Sequence, residues 1–452
     1  MRYLNCCFVF SPASLLVAVS LSVLLLSACS KAPEPDDTVN QAPAVNPAWI
    51  SAKAAQQALA EGELSSEQLV SYYLQQIAEH NHAGYQLAAI TDINPEALAQ
   101  ARVLDEERKA GQLRSALHGL PVVLKANIAT KDSMPTTAGA LVLQHHLTHT
   151  DAELVSQLRQ AGAIILAKTN LSEWANFRGQ KSASGWSALG GQSRNPHLLS
   201  HTPCGSSSGS AVAVAADLAL LAVGTETDGS IMCPASINGI VGIKPTRGAV
   251  SGKGIIPIAE AQDIAGPMAR TVYDAALLLD AMLTPAAKAQ FSLPLSEAAD
   301  AASRAQKVLL VRAFDKQEPA LVPILDKLEA ELIAAGVEVI STEQWQLPPA
   351  LYQAELTVLV YEFKRDLERW LAEYQAPEAA STLDKIVAFN PAKGEAALAF
   401  YGQQYLEQAA AIDLEADKAA YLEALQQSRQ LAEAALDSYL REQGIAAIIM
   451  PS

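Results

Sequence analysis

The chain has 452 residues, of which 50% are apolar types and 18% are charged. That composition excludes a disordered or fibrous chain and supplies a core for one large α/β domain. Lys and Arg number 32 against 48 Asp and Glu, a formal net charge of −16. A surface of that sign repels phosphate backbones, so no nucleic-acid partner is expected.

Arg2 is the only charge before Lys31, and the apolar runs Leu15–Val19 and Leu21–Leu26 lie between them. A positive start, an apolar middle and small residues before a cleavage point predict a secretory signal peptide over residues 1–28. Leu26-Ser27-Ala28-Cys29 resembles the lipobox of bacterial lipoproteins. The resemblance implies that Cys29 is lipidated and begins the mature chain, with several acyl chains giving a stable anchor. Ser30, in a Gram-negative host, implies the outer membrane, facing the periplasm. Membrane contact is then expected through the lipid anchor only. Residues 29–48 are proline-rich and read as a tether, and residues 49–452 as the folded domain.

Ser65-Ser66-Glu67-Gln68 predicts a capped helix, with Leu69, Tyr72, Tyr73, Leu74 and Ile77 on its apolar side. A second helix is predicted from Pro95 to about Gly111. Pro121–Lys125 reads as a buried strand ending in a lysine. Residues 153–162 read as a helix, Ala163–Ala167 as a strand, Ala211–Leu218 as a small-residue helix and Ala219–Val223 as a strand. Further on, Val308–Val311 and Val337–Ile340 flank a helical stretch at Pro323–Ala335, and residues 350–443 are mostly helical. Short apolar strands alternating with helices predict an α/β fold: a mixed, mostly parallel sheet covered by helices on both faces.

From Gly179 to Gly266 the texture changes to crowded Gly, Ser, Thr and Pro, which marks a functional segment. Gly205-Ser206-Ser207-Ser208-Gly209 satisfies G-x-S-x-G, but the nucleophile elbow needs a histidine downstream, and the last of the eight histidines is His201. No lysine has serine three positions before it. There is no Walker loop, no H-E-x-x-H and no zinc spacing, so no cofactor and no metal are expected. His145, His146 and His149 read as a polar loop. What remains is a serine–lysine set. Ala222–Ile231 reads as a strand running into a tight turn, whose successive N–H groups suit a developing oxyanion. Ser230 ends that turn. With no downstream histidine, Lys125 is the candidate base, because burial lowers a lysine from ~10.4 toward ~7–8.

These residues resemble the amidase signature family. The resemblance runs through His118–Lys125, Thr202–Ala211, Gly224–Ala235, Gly242–Thr246 and Gly266–Arg270, and more weakly through Ala399–Gln403. It places the signature core at about 118–270. Position by position, it implies Ser230 as the acylated nucleophile, Ser206 as a serine with a cis peptide bond, and Lys125 as the catalytic lysine. The backbone N–H groups of Thr227, Asp228, Gly229 and Ser230 become the oxyanion hole. The implied activity is hydrolysis of a small-molecule or peptide amide, in a branch resembling peptide amidases. The tRNA-dependent amidotransferases share the signature, but an exported lipoprotein would meet neither aminoacyl-tRNA nor their cytosolic partner subunits.

Three departures stand out. Ala126 follows the lysine where many members have Asp, and Asp228 stands where many have Gly. The chain also stops at Ile448–Ser452, where members usually continue, which implies a truncated product and an alternative function as a non-catalytic binding module. Cys204 and Cys233 are expected as buried free thiols. A disulfide needs Cα atoms ~4.4–6.8 Å apart, and sequence proximity to the serines does not guarantee that. A bridge is the alternative.

Overall fold

The three apolar runs at Pro121, Ala163 and Ala219 become the centre of one sheet. The structure is a computed structural model that describes residues 43–301, 306–345 and 347–451. The predicted signal peptide, Cys29 and most of the tether lie outside these residues. In chain order the sheet contains β1 (Ile90–Ile93), β2 (Pro121–Lys125), β3 (Ile164–Thr169), β4 (Leu221–Glu226), β5 (Val241–Gly242) and β6 (Ile264–Ala269). The spatial order is β1-β3-β2-β4-β6-β5. The pairs β2–β3 and β2–β4 are parallel, whereas β1–β3, β4–β6 and β5–β6 are antiparallel. The sheet is mixed as expected, with its parallel pairing confined to the three central strands.

Every residue of β2, β3, β4 and β6 is buried, which is the pattern of strands covered on both faces. Burial of each fully enclosed side chain such as Val122, Val123 or Leu124 contributes about 1.5–3 kcal/mol. The helix predicted at Ser65 carries its expected cap, and the helix before it, not predicted from the sequence, carries one too. In α1 (Ala52–Glu61) Ser51 Oγ accepts from Ala54 N. In α2 (Ser66–His80) Ser65 and Gln68 form a reciprocal capping box, and Leu69, Tyr73 and Ile77 face the core. The helices α3 (Ala97–Lys109), α4 (Glu153–Gln160) and α5 (Ser208–Ala215) follow the predicted order. Two further helices are α6 (Met232–Ile237) after the polar turn and α7 (Val272–Met282) after β6. Within the stretch read as tether, Ala44 N donates to Glu63 O and Val45 packs against the core.

A second, three-stranded sheet forms from β7 (Lys307–Val311), β8 (Glu338–Thr342) and β9 (Ala447–Ile449), in the order β8-β7-β9 and parallel throughout. The helix α8 (Val322–Ala334) connects β7 to β8, a right spacing for a parallel crossover. The helical region includes α9 (Pro349–Glu373), α10 (Leu383–Lys393), α11 (Gln404–Ala410) and α12 (Lys418–Leu440). Phe363, Leu367, Trp370 and Leu371 of α9 join the main core. On its other side Tyr361 stacks on Tyr421 of α12, ring centroids 4.2 Å apart.

Candidate active site

Parallel pairing of β2 with β4 sets Leu124 opposite Val223, so the two strands deliver Lys125 and Thr225 side by side at their carboxyl ends. Crevices outside such strand ends are the usual ligand sites of parallel α/β sheets. Lys125 is fully buried. Its Nζ lies 2.7 Å from Ser206 Oγ, 2.8 Å from Thr225 Oγ1 and 3.1 Å from Thr225 O. Among the described residues no carboxylate touches it directly. Desolvation therefore wins and pushes the ammonium down to about 7, against the pull of the Asp263 and Glu226 carboxylates. The three contacts serve either protonation state. An ammonium donates to all three oxygens, while a neutral amine donates to the two Thr225 oxygens and accepts the Ser206 hydroxyl proton. A proton can thus move between Ser206 and Lys125 with no heavy atom displaced.

Ser206 follows a cis peptide bond from Gly205, as the family resemblance implies. Its carbonyl accepts from Ser172 N at 3.1 Å. The next residue ties the serine block to the strand. Ser207 Oγ donates to Thr225 O at 3.0 Å and accepts from Thr225 N at 3.1 Å, while Ser207 N donates to Ser230 O at 3.1 Å. Lys125 and Ser206 are therefore in direct contact, and Ser230 is joined to them through the backbone of Ser207. Ser230 Oγ makes no hydrogen bond among the described residues.

The turn after β4 is held open by carboxylates on both sides. Glu226 is buried and accepts from Ile231 N at 2.6 Å and Met232 N at 2.9 Å. Asp263 accepts from Thr227 Oγ1, from Ile258 N at 2.7 Å and from Ala259 N at 3.0 Å. Burial pushes the Asp263 carboxyl up to about 6, against these donors. Gly229 sits at φ +75°, a left-handed conformation that costs glycine least. The amides of Thr227, Asp228, Gly229 and Ser230 find no acceptor among the described residues. They are four free donors in succession, which is the arrangement that receives an oxyanion. Asp228 itself is exposed, and the charged groups acting on it are Glu226, Glu355 and Lys244.

A cleft of about 740 Å³ opens beside this assembly, and its lining includes Asn127, Ala175, Thr225, Thr227, Asp263, Trp370 and Tyr374. Asn127 Nδ2 donates to Thr225 Oγ1 at 3.0 Å, so the residue two after the lysine supports it where Ala126 offers no side-chain polar group.

Cys204 and Cys233 form a disulfide, with Cα atoms 5.9 Å apart. This overturns the expectation of free thiols. The reason is the set of bonds that draws α6 onto the serine loop: Ser207 N to Ser230 O, and Asn238 Nδ2 to Pro203 O at 2.8 Å. They bring the two cysteines within bridging distance. Peptide mapping without reduction should recover the two half-cystines as one linked pair; two alkylated thiols would contradict it.

Sequence reasoning placed Lys125, Ser206, Ser230 and the turn, and the structure gathers them. It missed Thr225, Asn127, Glu226, Asp263 and Ser172. Thr225 and Glu226 stand inside a quoted motif, so their signal was present. Asp263 had none, since it meets Thr227 from 36 positions away.

The amidase family profile matches residues 68–452. A probable amidase of Arabidopsis thaliana is 49% identical over 225 residues, covering 49% of this chain and 43% of that relative. A glutamyl-tRNA(Gln) amidotransferase subunit of Ralstonia pickettii is 45% identical over 231 residues, covering 51% of this chain and 44% of its own. These alignments span less than half of either relative's length. Among solved structures, the native peptide amidase of Stenotrophomonas maltophilia superposes with a TM-score of 0.83 at 44% identity, over 89% of this chain and 83% of that one. With the profile covering most of the chain and the α/β architecture shared with that enzyme, the chain belongs to the amidase family.

Proposed function

We propose that the protein hydrolyses carboxylic amides through an acyl-enzyme on Ser230. The observation that carries this reading is the fully buried Lys125 Nζ held 2.7 Å from Ser206 Oγ, beside a turn of four free amides. Ser230 Oγ attacks the amide carbon. Its proton passes to Ser206 Oγ, and the Ser206 proton passes to neutral Lys125. The oxyanion rests on the N–H groups of Thr227, Asp228, Gly229 and Ser230. As the C–N bond breaks, the proton returns through Ser206 to the departing nitrogen. Water then attacks the ester, gives a proton to the same relay and releases the carboxylate, while Ser230 regains its hydroxyl hydrogen. The serine–serine link closes when substrate fills the site.

The likeness to a peptide amidase supports a C-terminal peptide amide as substrate. Release of ammonia from an N-acetylated peptide amide tests this. The reading expects turnover by wild type and none by Ser230→Ala; failure to turn over any member of a panel of primary and secondary amides would overturn it. The lipobox supports a further proposal, that Cys29 carries lipid and anchors the enzyme at the periplasmic face of the outer membrane. Cys29→Ser should release the protein into the soluble fraction, and a variant that sediments with membranes as fully as wild type would contradict the anchor.

A further inference from the structure

The segment that follows β3 turns in a way L-residues avoid. Trp174, Ala175 and Asn176 are all left-handed, with φ of +53°, +54° and +76°. Only asparagine among the three tolerates that region readily, so something must hold the arch in place. Glu173 and Arg178, one on each side of it, form an ion pair at 3.0 Å with both side chains almost wholly buried. Glu173 also accepts from Ala188 N at 2.8 Å. The Arg178 guanidinium donates to the carbonyls of Ala397 and Tyr401 and lies over the rings of Trp186 and Tyr401. Aromatic contacts brace the arch from behind. Trp174 and Phe177 meet Phe363 of α9, and Phe177 stacks on Tyr405 of α11 at 5.0 Å.

This arch touches the chemistry at both ends. Ser172 N, just before it, donates to Ser206 O at 3.1 Å. Ala175, its crown, lines the cleft together with Asn127, Thr225 and Thr227. The indole Nε1 of Trp174 and Oδ1 of Asn176 are buried with no partner among the described residues, a cost that native proteins keep at only a few positions. We propose that the left-handed arch Trp174–Asn176 is the wall that decides which substrates fit the cleft, with Ala175 meeting the substrate and Glu173 and Arg178 as positioning residues. This inference rests on the amide-hydrolase reading and deepens it. A small residue at the crown admits a bulky substituent beside the reacting carbonyl. The pair fixes the crown's distance from the turn.

The test compares kcat/KM for two probes, N-acetylglycinamide and N-acetylphenylalaninamide, in wild type, Ala175→Met and Glu173→Gln. The ratio of the two values does not depend on the fraction of folded enzyme, so a variant that merely unfolds leaves it unchanged. Ala175→Met should shift the ratio at least about tenfold toward the small amide, the scale at which added methylenes discriminate. Glu173→Gln removes the carboxylate charge that faces Arg178 and lets the arch move, and it should change the ratio by about threefold or more. An unchanged ratio in Ala175→Met overturns the assignment of the wall. An unchanged ratio in Glu173→Gln overturns the positioning role. Labelling of wild type by a fluorophosphonate separates the two levels of the argument. If Ser230 is labelled and the ratios do not move, the wall is wrong and the hydrolase reading stands. If Ser230 is not labelled, both fall.

Discussion

Ser230→Ala should lose at least about 10⁴-fold in kcat/KM, roughly 5 kcal/mol of barrier, because removal of the attacking atom closes the covalent route. The fold should be unaffected. Ser230 Oγ makes no hydrogen bond among the described residues, so its loss leaves no buried partner unpaired, and the change in stability should stay within about 0.5 kcal/mol. The backbone groups that organise the site, Ser230 O and the four amides of the turn, all survive the substitution. Steady-state kinetics with a peptide amide, paired with thermal unfolding, checks both halves. Retention of more than about a hundredth of the activity would place the nucleophile elsewhere.

Lys125→Ala should fall almost as far, about 10³-fold or more, and at every pH, since the relay then ends in no base. Lys125→Arg should not rescue, because a guanidinium stays protonated and has no lone pair to give Ser206. Wild-type activity should rise with pH through about 7, the value to which burial lowers this lysine. Burial pushes the Asp263 carboxyl up to about 6, and this carboxylate accepts from Thr227, so the acid limb should carry a second, lower step that Asp263→Asn alters. Stability follows the same ionisation with a definite sign. The lysine is near 7 in the fold and near 10.5 in the unfolded chain, so between those values the unfolded chain binds the extra proton. Wild-type stability therefore gains with pH across that window. The advantage of Lys125→Met over wild type should be largest below pH 7 and shrink toward pH 10.5. Lys168, lowered to about 8 by burial, adds a similar slope to both proteins and cancels in the difference. A variant that tracks wild type across the whole range would show that Lys125 is not held in a depressed state.

What was legible in the sequence was what local chemistry encodes. The Ser65/Gln68 capping box and the uninterrupted apolar runs of β2, β3 and β4 came through at nearly their observed bounds. The strand β6 did not, because Gly266 and Pro267 argue against a strand interior. Pro267 nevertheless pairs opposite Val223, and a Cβ at Gly266 would meet the Ile243 carbonyl, so the backbone just after β5 takes the space. The edge strand β1 is four residues long, with one buried position, too short for a period to appear. In the site, Ser230 and Lys125 were readable from the polar turn and the lack of a downstream histidine, and Ser206 only through the family resemblance. The residues that position them were not. Asp263 meets the Thr227 hydroxyl from 36 positions away, Ser172 N meets Ser206 O and Arg178 meets the Ala397 and Tyr401 carbonyls, and nothing in their own neighbourhoods announces it. The disulfide was missed for the same reason, since it depends on how α6 closes over the serine loop.

The proposed hydrolysis depends on activation of the Ser230 nucleophile by neutral Lys125 through Ser206. It is tested most directly by peptide mapping of the protein after fluorophosphonate treatment at a series of pH values. A single adduct on Ser230 is expected, formed at a rate that climbs through about pH 7, with almost none in Lys125→Ala. An adduct on Ser206 or any other residue, or equal labelling of Ser230 in Lys125→Ala, would contradict it.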